Sequence, residues 1–124
     1  NGDISLNGVG IFKLPWYIKF RNIYGDFLIN HNNLTNLVGC PDYIKGSFYI
    51  NGNPLTSIEG FPKKIEGDVI LSKNTKLTIQ QIEKILENNY IRWTFESSDN
   101  IFQIKEDYFK KQRPGKLEDY VFDL

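Results

Sequence analysis

The chain has 124 residues, enough for one domain around one core. Its 15 basic and 15 acidic residues cancel, leaving no net field that favours nucleic acid or an anionic membrane. One cysteine and one histidine rule out an internal disulfide and a zinc site built on several Cys and His, and no run approaches the roughly 18 apolar residues of a membrane span.

Taken in chain order, the first element is a worn copy of a pattern that becomes regular further on. Residues 2–6 read Gly2-Asp3-Ile4-Ser5-Leu6. Val9 stands where the later copies carry asparagine, and extra residues lie between Pro15 and Gly25. From Gly25 the pattern is full. Residues 26–34 align without gaps on 47–55, and a third copy runs over 68–74. Gly25, Gly46 and Gly67 stand 21 apart, as do Asn32, Asn53 and Asn74. Gly39 with Gly60, and Pro41 with Pro62, keep the same step. The third copy departs from the pattern with Lys76 where a leucine is expected and Leu77 one step late.

Each position has a physical reading. A glycine before each strand points to an unusual φ or a close backbone approach. Alternation then sends Phe27 and Ile29, Phe48 and Ile50, and Val69 and Leu71 to one side, and the residues between them to the other. The asparagine ends the strand, where its amide can satisfy backbone groups of the bend and form a ladder between copies. Leu34, Leu37, Leu55 and Ile58 return to the core, the prolines stiffen the return arm, and Ile44 and Ile65 refill the core before the next turn. One copy cannot bury its own apolar face, whereas stacked copies can.

The runs Phe27-x-Ile29-x-x-Asn32-x-Leu34 and Phe48-x-Ile50-x-x-Asn53-x-Leu55 resemble the LxLxxNxL core of leucine-rich repeats. With the Gly-x-Pro and Asn-Pro-Leu elements, they are similar to short repeats encoded by phages and giant viruses. The resemblance covers roughly residues 2–77. It implies an α/β solenoid with a short-stranded parallel sheet, and it implies binding of another macromolecule without naming it. The abundance of Ile, Asn, Lys, Phe and Tyr with no alanine fits an AT-rich genome of that kind. The worn first copy and the lack of any methionine lead to the expectation of further sequence before Asn1.

After residue 77 the repetition stops, and residues 78–124 are expected to form a C-terminal cap. Thr78 and Gln81 have the spacing of a capping box, and Ile79, Ile82, Ile85 and Leu86 share a helical face that Asn88 and Asn89 end. Residues 90–95 alternate as a strand expected beside 69–71. Ile101, Ile104, Tyr108 and Phe109 suggest a second helix, ended at Arg113-Pro114-Gly115. The tail 116–124 reads equally as a docked cap and as a partner-binding arm.

Candidate sites are few. His31 sits in a tolerant bend slot shared with Gly52 and Lys73, and Cys40 takes the place of Phe61 as an apolar residue flanking the core. Asp26 and Asp68 align, but Ser47 interrupts any carboxylate ladder for calcium. No catalytic residue, cofactor or metal is expected. The outward face is the better candidate. Its middle column reads Ser5, Leu28, Tyr49, Ile70, flanked by Asp26 and Asp68 on one side and Asn30 and Asn51 on the other. An apolar stripe bordered by polar residues is a reasonable contact patch, the alternative being that the chain's own tail or upstream sequence covers it. The expectation is therefore a non-enzymatic protein-interaction module, acting in a host cytoplasm or a virion on a host or viral protein. The alternative is a structural component of a virion or another assembly. Nucleic acid and membrane are not expected partners.

Overall fold

A computed structural model describes residues 2–94 of the chain. The second helix expected after residue 100 and the tail 116–124 lie outside the described residues. The fold is α/β, with short parallel strands in two sheets and a single α-helix among the described residues.

From β2 to β7 the strands follow the 21-residue step. Strands β1 (Ile4–Ser5), β2 (Asn22–Ile23), β3 (Phe27–Leu28), β4 (Tyr43–Ile44), β5 (Phe48–Tyr49), β6 (Lys64–Ile65) and β7 (Val69–Ser72) precede helix α1 (Ile79–Leu86) and strand β8 (Ile91–Thr94). The odd-numbered strands and β8 form a five-stranded sheet in the order β1-β3-β5-β7-β8. In it Phe27 lies opposite Phe48 and Phe48 opposite Val69, all parallel. Residues of one phase in the pattern therefore meet side by side, as the alignment of copies demands. The Phe27 and Phe48 rings stack with centroids 5.8 Å apart and planes 4° from parallel.

The second sheet, β2-β4-β6, was not foreseen. Ile44 and Ile65 were expected in the core and are buried there, as is Ile23, but each lies in a strand of two residues. Each offers one buried residue with none two positions away, unlike Phe27 with Ile29 or Phe48 with Ile50, so there is no alternation to read. The sheet forms because copies in register on one side bring their return arms into register on the other, as in Lys45 N–H to Ile23 C=O at 2.8 Å and Glu66 N–H to Ile44 C=O at 3.0 Å.

The glycines before the strands correct one half of the reading and uphold the other. None of Gly25, Gly46 and Gly67 has a positive φ. They are required by close approach: Gly46 N–H donates to Gly25 C=O at 2.9 Å, and Gly67 N–H to Gly46 C=O at 2.9 Å. A Cβ built on Gly46 would stand 2.6 Å from the Gly25 carbonyl carbon and oxygen, which is inside van der Waals contact.

The core runs between the sheets and continues into the C-terminal part. Phe27, Ile29, Phe48, Ile50, Leu55 and Val69 are fully buried. Ile82, Ile85 and Leu86 of α1 and Ile91 of β8 belong to the same cluster. The capping box at Thr78 is formed, with the Gln81 N–H donating to Thr78 Oγ1 at 3.1 Å and the Thr78 N–H to Gln81 Oε1 at 2.8 Å. Strand β8 pairs parallel to β7 over its whole length, extending the larger sheet. The extra residues of the first return arm hold a 3-10 turn, Ile18–Phe20, which buries Ile18.

Candidate functional site

The outer face of the five-stranded sheet carries the column read from sequence. Register places Ser5 beside Leu28, Leu28 beside Tyr49, Tyr49 beside Ile70, and Ile70 beside Arg92. Burial changes sharply along it. Ser5 is exposed, Leu28 and Tyr49 are half-buried, and Ile70 is only 3% exposed. The next column behaves alike: Asn7 is exposed, Asn30 half-buried, and Asn51 and Ser72 buried. The expectation of an exposed stripe is thus corrected at Ile70 and Asn51. Alternation decides which side of a sheet a residue faces but not what lies over that side. Ile70 does face away from the core cluster, which includes its neighbours Val69 and Leu71.

The acids at the head of each strand have a structural task. Asp3 Oδ1 accepts from the Asp26 N–H at 2.7 Å, and Asp26 Oδ1 accepts from the Ser47 N–H at 2.8 Å. Ser47 Oγ continues the series by accepting from the Asp68 N–H at 3.0 Å. Serine at position 47 therefore serves as the acceptor in this series, although it breaks the run of carboxylates. Asp68 Oδ2 meets Arg92 Nη2 at 2.8 Å. Asp26 and Asp68 remain half-buried at the border of the patch, each already engaged. Among the described residues, no group of three or more His, Cys, Asp or Glu side chains is placed to hold a metal ion.

At the other end of the strands the asparagines form the ladder expected of them. Asn32 Oδ1 accepts from the N–H groups of Val9, Gly10 and Ile11, and its Nδ2 donates to Leu6 C=O and Ile29 C=O. Asn53 Oδ1 accepts from the Asn32 and Leu34 N–H groups, and its Nδ2 donates to Ile29 C=O and Ile50 C=O. Asn30 differs: its Oδ1 is buried with no hydrogen-bond partner among the described residues.

His31 occupies the bend with φ of 59°, matching the positive φ of its equivalent Gly52, and its ring lies against that glycine. Cys40 is buried, and burial pushes its thiol pKa far above the ordinary cysteine value, so the thiolate a nucleophile needs is suppressed.

A further exposed surface lies on the first return arm, outside the sites expected from sequence. Phe12, Trp16 and Phe20 are 75–78% exposed, and the Lys19 ammonium stands 5.6 Å from the centre of the Phe20 ring. Lys13, Trp16, Lys19 and Val38 line a shallow groove of about 420 Å³. A signal for this surface was present, since no acid occurs between Asp3 and Asp26 while Lys13, Lys19 and Arg21 do.

The chain matches no protein-family model, no curated protein and no solved structure.

Proposed function

We propose that the chain is a leucine-rich-repeat-like solenoid that works as a non-enzymatic protein-interaction module. Its contact surface is the open part of the outer sheet face, centred on Leu28 and Tyr49. The observation that carries this reading is the division of labour within each copy. The inward residues fill the core, and the residues at the strand ends satisfy backbone groups of the neighbouring copy. Leu28 and Tyr49 do neither. They are adjacent, half-buried apolar side chains on a face otherwise bordered by Asp26 and Asn30, and an aromatic beside an aliphatic residue is a suitable anchor for a partner.

A photo-crosslinking residue at position 49 in the full chain tests this in the native source. The expected result is one discrete crosslinked protein, lost when Leu28→Asp is added and not captured from a crosslinker at the exposed position 45. Crosslinking at position 49 that yields no adduct, or one indifferent to Leu28→Asp, contradicts the reading.

A further inference from the structure

We propose that the open edge of β6 docks an extended acidic peptide of a partner protein, which adds a fourth strand to the three-stranded sheet. This site belongs to the other sheet and does not rest on the role given to Leu28 and Tyr49. The larger sheet receives its last strand from β8, whereas the smaller ends at β6 among the described residues. Lys64 N–H donates to Asp42 C=O and Glu66 N–H to Ile44 C=O, so residues 64 and 66 turn their backbone groups toward β4. Alternation then turns the N–H and C=O of Ile65 the other way, where no hydrogen bond from the described residues reaches them. They face a groove of about 380 Å³ between the β6 arm and α1, with Phe61 and Ile85 among its apolar walls.

Charge selects the occupant. Among the described residues, Lys63, Lys64 and Lys84 line the groove and no acid does. The pairs that two of them make, Lys63 with Asp42 at 3.8 Å and Lys84 with Glu87 at 3.5 Å, are well exposed and easily exchanged for a ligand carboxylate. A peptide backbone offers both a donor to Ile65 C=O and an acceptor to Ile65 N–H at strand spacing, and alternate side chains can then enter the groove and reach the lysines. Phospholipid and nucleic-acid phosphates offer acceptors only, and would leave the carbonyl unmatched.

The test uses the full isotope-labelled chain and two acetylated octapeptides, one alternating glutamate and valine and one alternating lysine and valine. With the acidic peptide at saturation, amide exchange at Ile65 is expected to slow at least tenfold, with chemical-shift changes centred on residues 58–65 and 84–89. The double variant Lys63→Glu, Lys64→Glu is expected to bind at least tenfold more weakly while its spectrum stays that of the folded chain. Equal response to the two peptides, unchanged exchange at Ile65, or shift changes confined to the face around Leu28 and Tyr49 would overturn the proposal.

Discussion

The Asn53 side chain joins two copies at the bend: its Oδ1 takes the Asn32 N–H at 3.1 Å while its Nδ2 reaches back to Ile29 C=O at 3.0 Å. It also accepts from the Leu34 N–H and donates to Ile50 C=O, so one amide serves four backbone groups. Only an amide offers an acceptor and a paired donor in this small a space. Asn53→Ala leaves those groups without it, at a cost of about 1–3 kcal/mol for a buried unmatched group. The expected loss is about 2–4 kcal/mol by urea denaturation. Asn53→Asp retains the acceptor but sets a carboxylate against two carbonyls, and is expected to lose a comparable amount at neutral pH.

Gly46→Ala tests the close approach of backbones. The added Cβ would meet the Gly25 carbonyl at 2.6 Å, and a backbone neighbour cannot swing aside as a side-chain tip can. A loss of about 1–3 kcal/mol is expected, in the range for overpacked sites. Lys45→Ala, one residue away and exposed, is expected to change stability by less than about 0.5 kcal/mol. Thermal unfolding of the two variants side by side decides the matter.

Burial separates two residues of the outer column that sequence alone treats alike. Ile70→Asp places a charge at a position 3% exposed and is expected to cost about 3 kcal/mol or more. Leu28→Asp, at a half-buried position, is expected to cost about 1 kcal/mol. Denaturation midpoints that fall in the opposite order would show that the outer face is closed at the other end of the sheet.

The Tyr43 hydroxyl donates to Glu66 Oε2 at 2.6 Å, bridging β4 to the residue after β6. That hydrogen bond, together with desolvation and the negative charge of Glu66, raises the tyrosine pKa above its ordinary value of 10.0. A group raised on folding adds stability that is complete below its unfolded pKa and disappears as pH climbs through the folded one. The stability difference between the native chain and Tyr43→Phe is therefore expected to hold at pH 7–9 and to shrink above pH 10. A difference that grows with alkalinity would contradict this assignment.

What could be read from sequence, and what could not, follows from the range of each signal. The pairing of Phe27 with Phe48 and Val69 was legible because a fixed period brings equivalent residues together whatever the details of the turns. Thr78 and Gln81 announced α1 because capping is local chemistry. Strands β2, β4 and β6 were hidden, since each offers a single buried residue with none two positions away, and their pairing follows from the register of the larger sheet. The burial of Ile70 and Asn51 was equally hidden, because alternation fixes the side a residue faces and not what lies over that side. Asp26 and Ser47 look unlike as ligands yet are equivalent as acceptors for the next N–H, which no charge pattern reveals.

Hydrogen-bond scalar couplings measured by NMR on the full chain address the shared 21-residue register of the two sheets, on which both proposed surfaces depend. The arrangement predicts couplings from the Phe27 amide to the Ser47 carbonyl and from Phe48 to Asp68 in one sheet, and from Lys45 to Ile23 and Glu66 to Ile44 in the other. Couplings that instead join these strands antiparallel to their sequence neighbours, or that appear in one sheet at a different offset from the other, would contradict it.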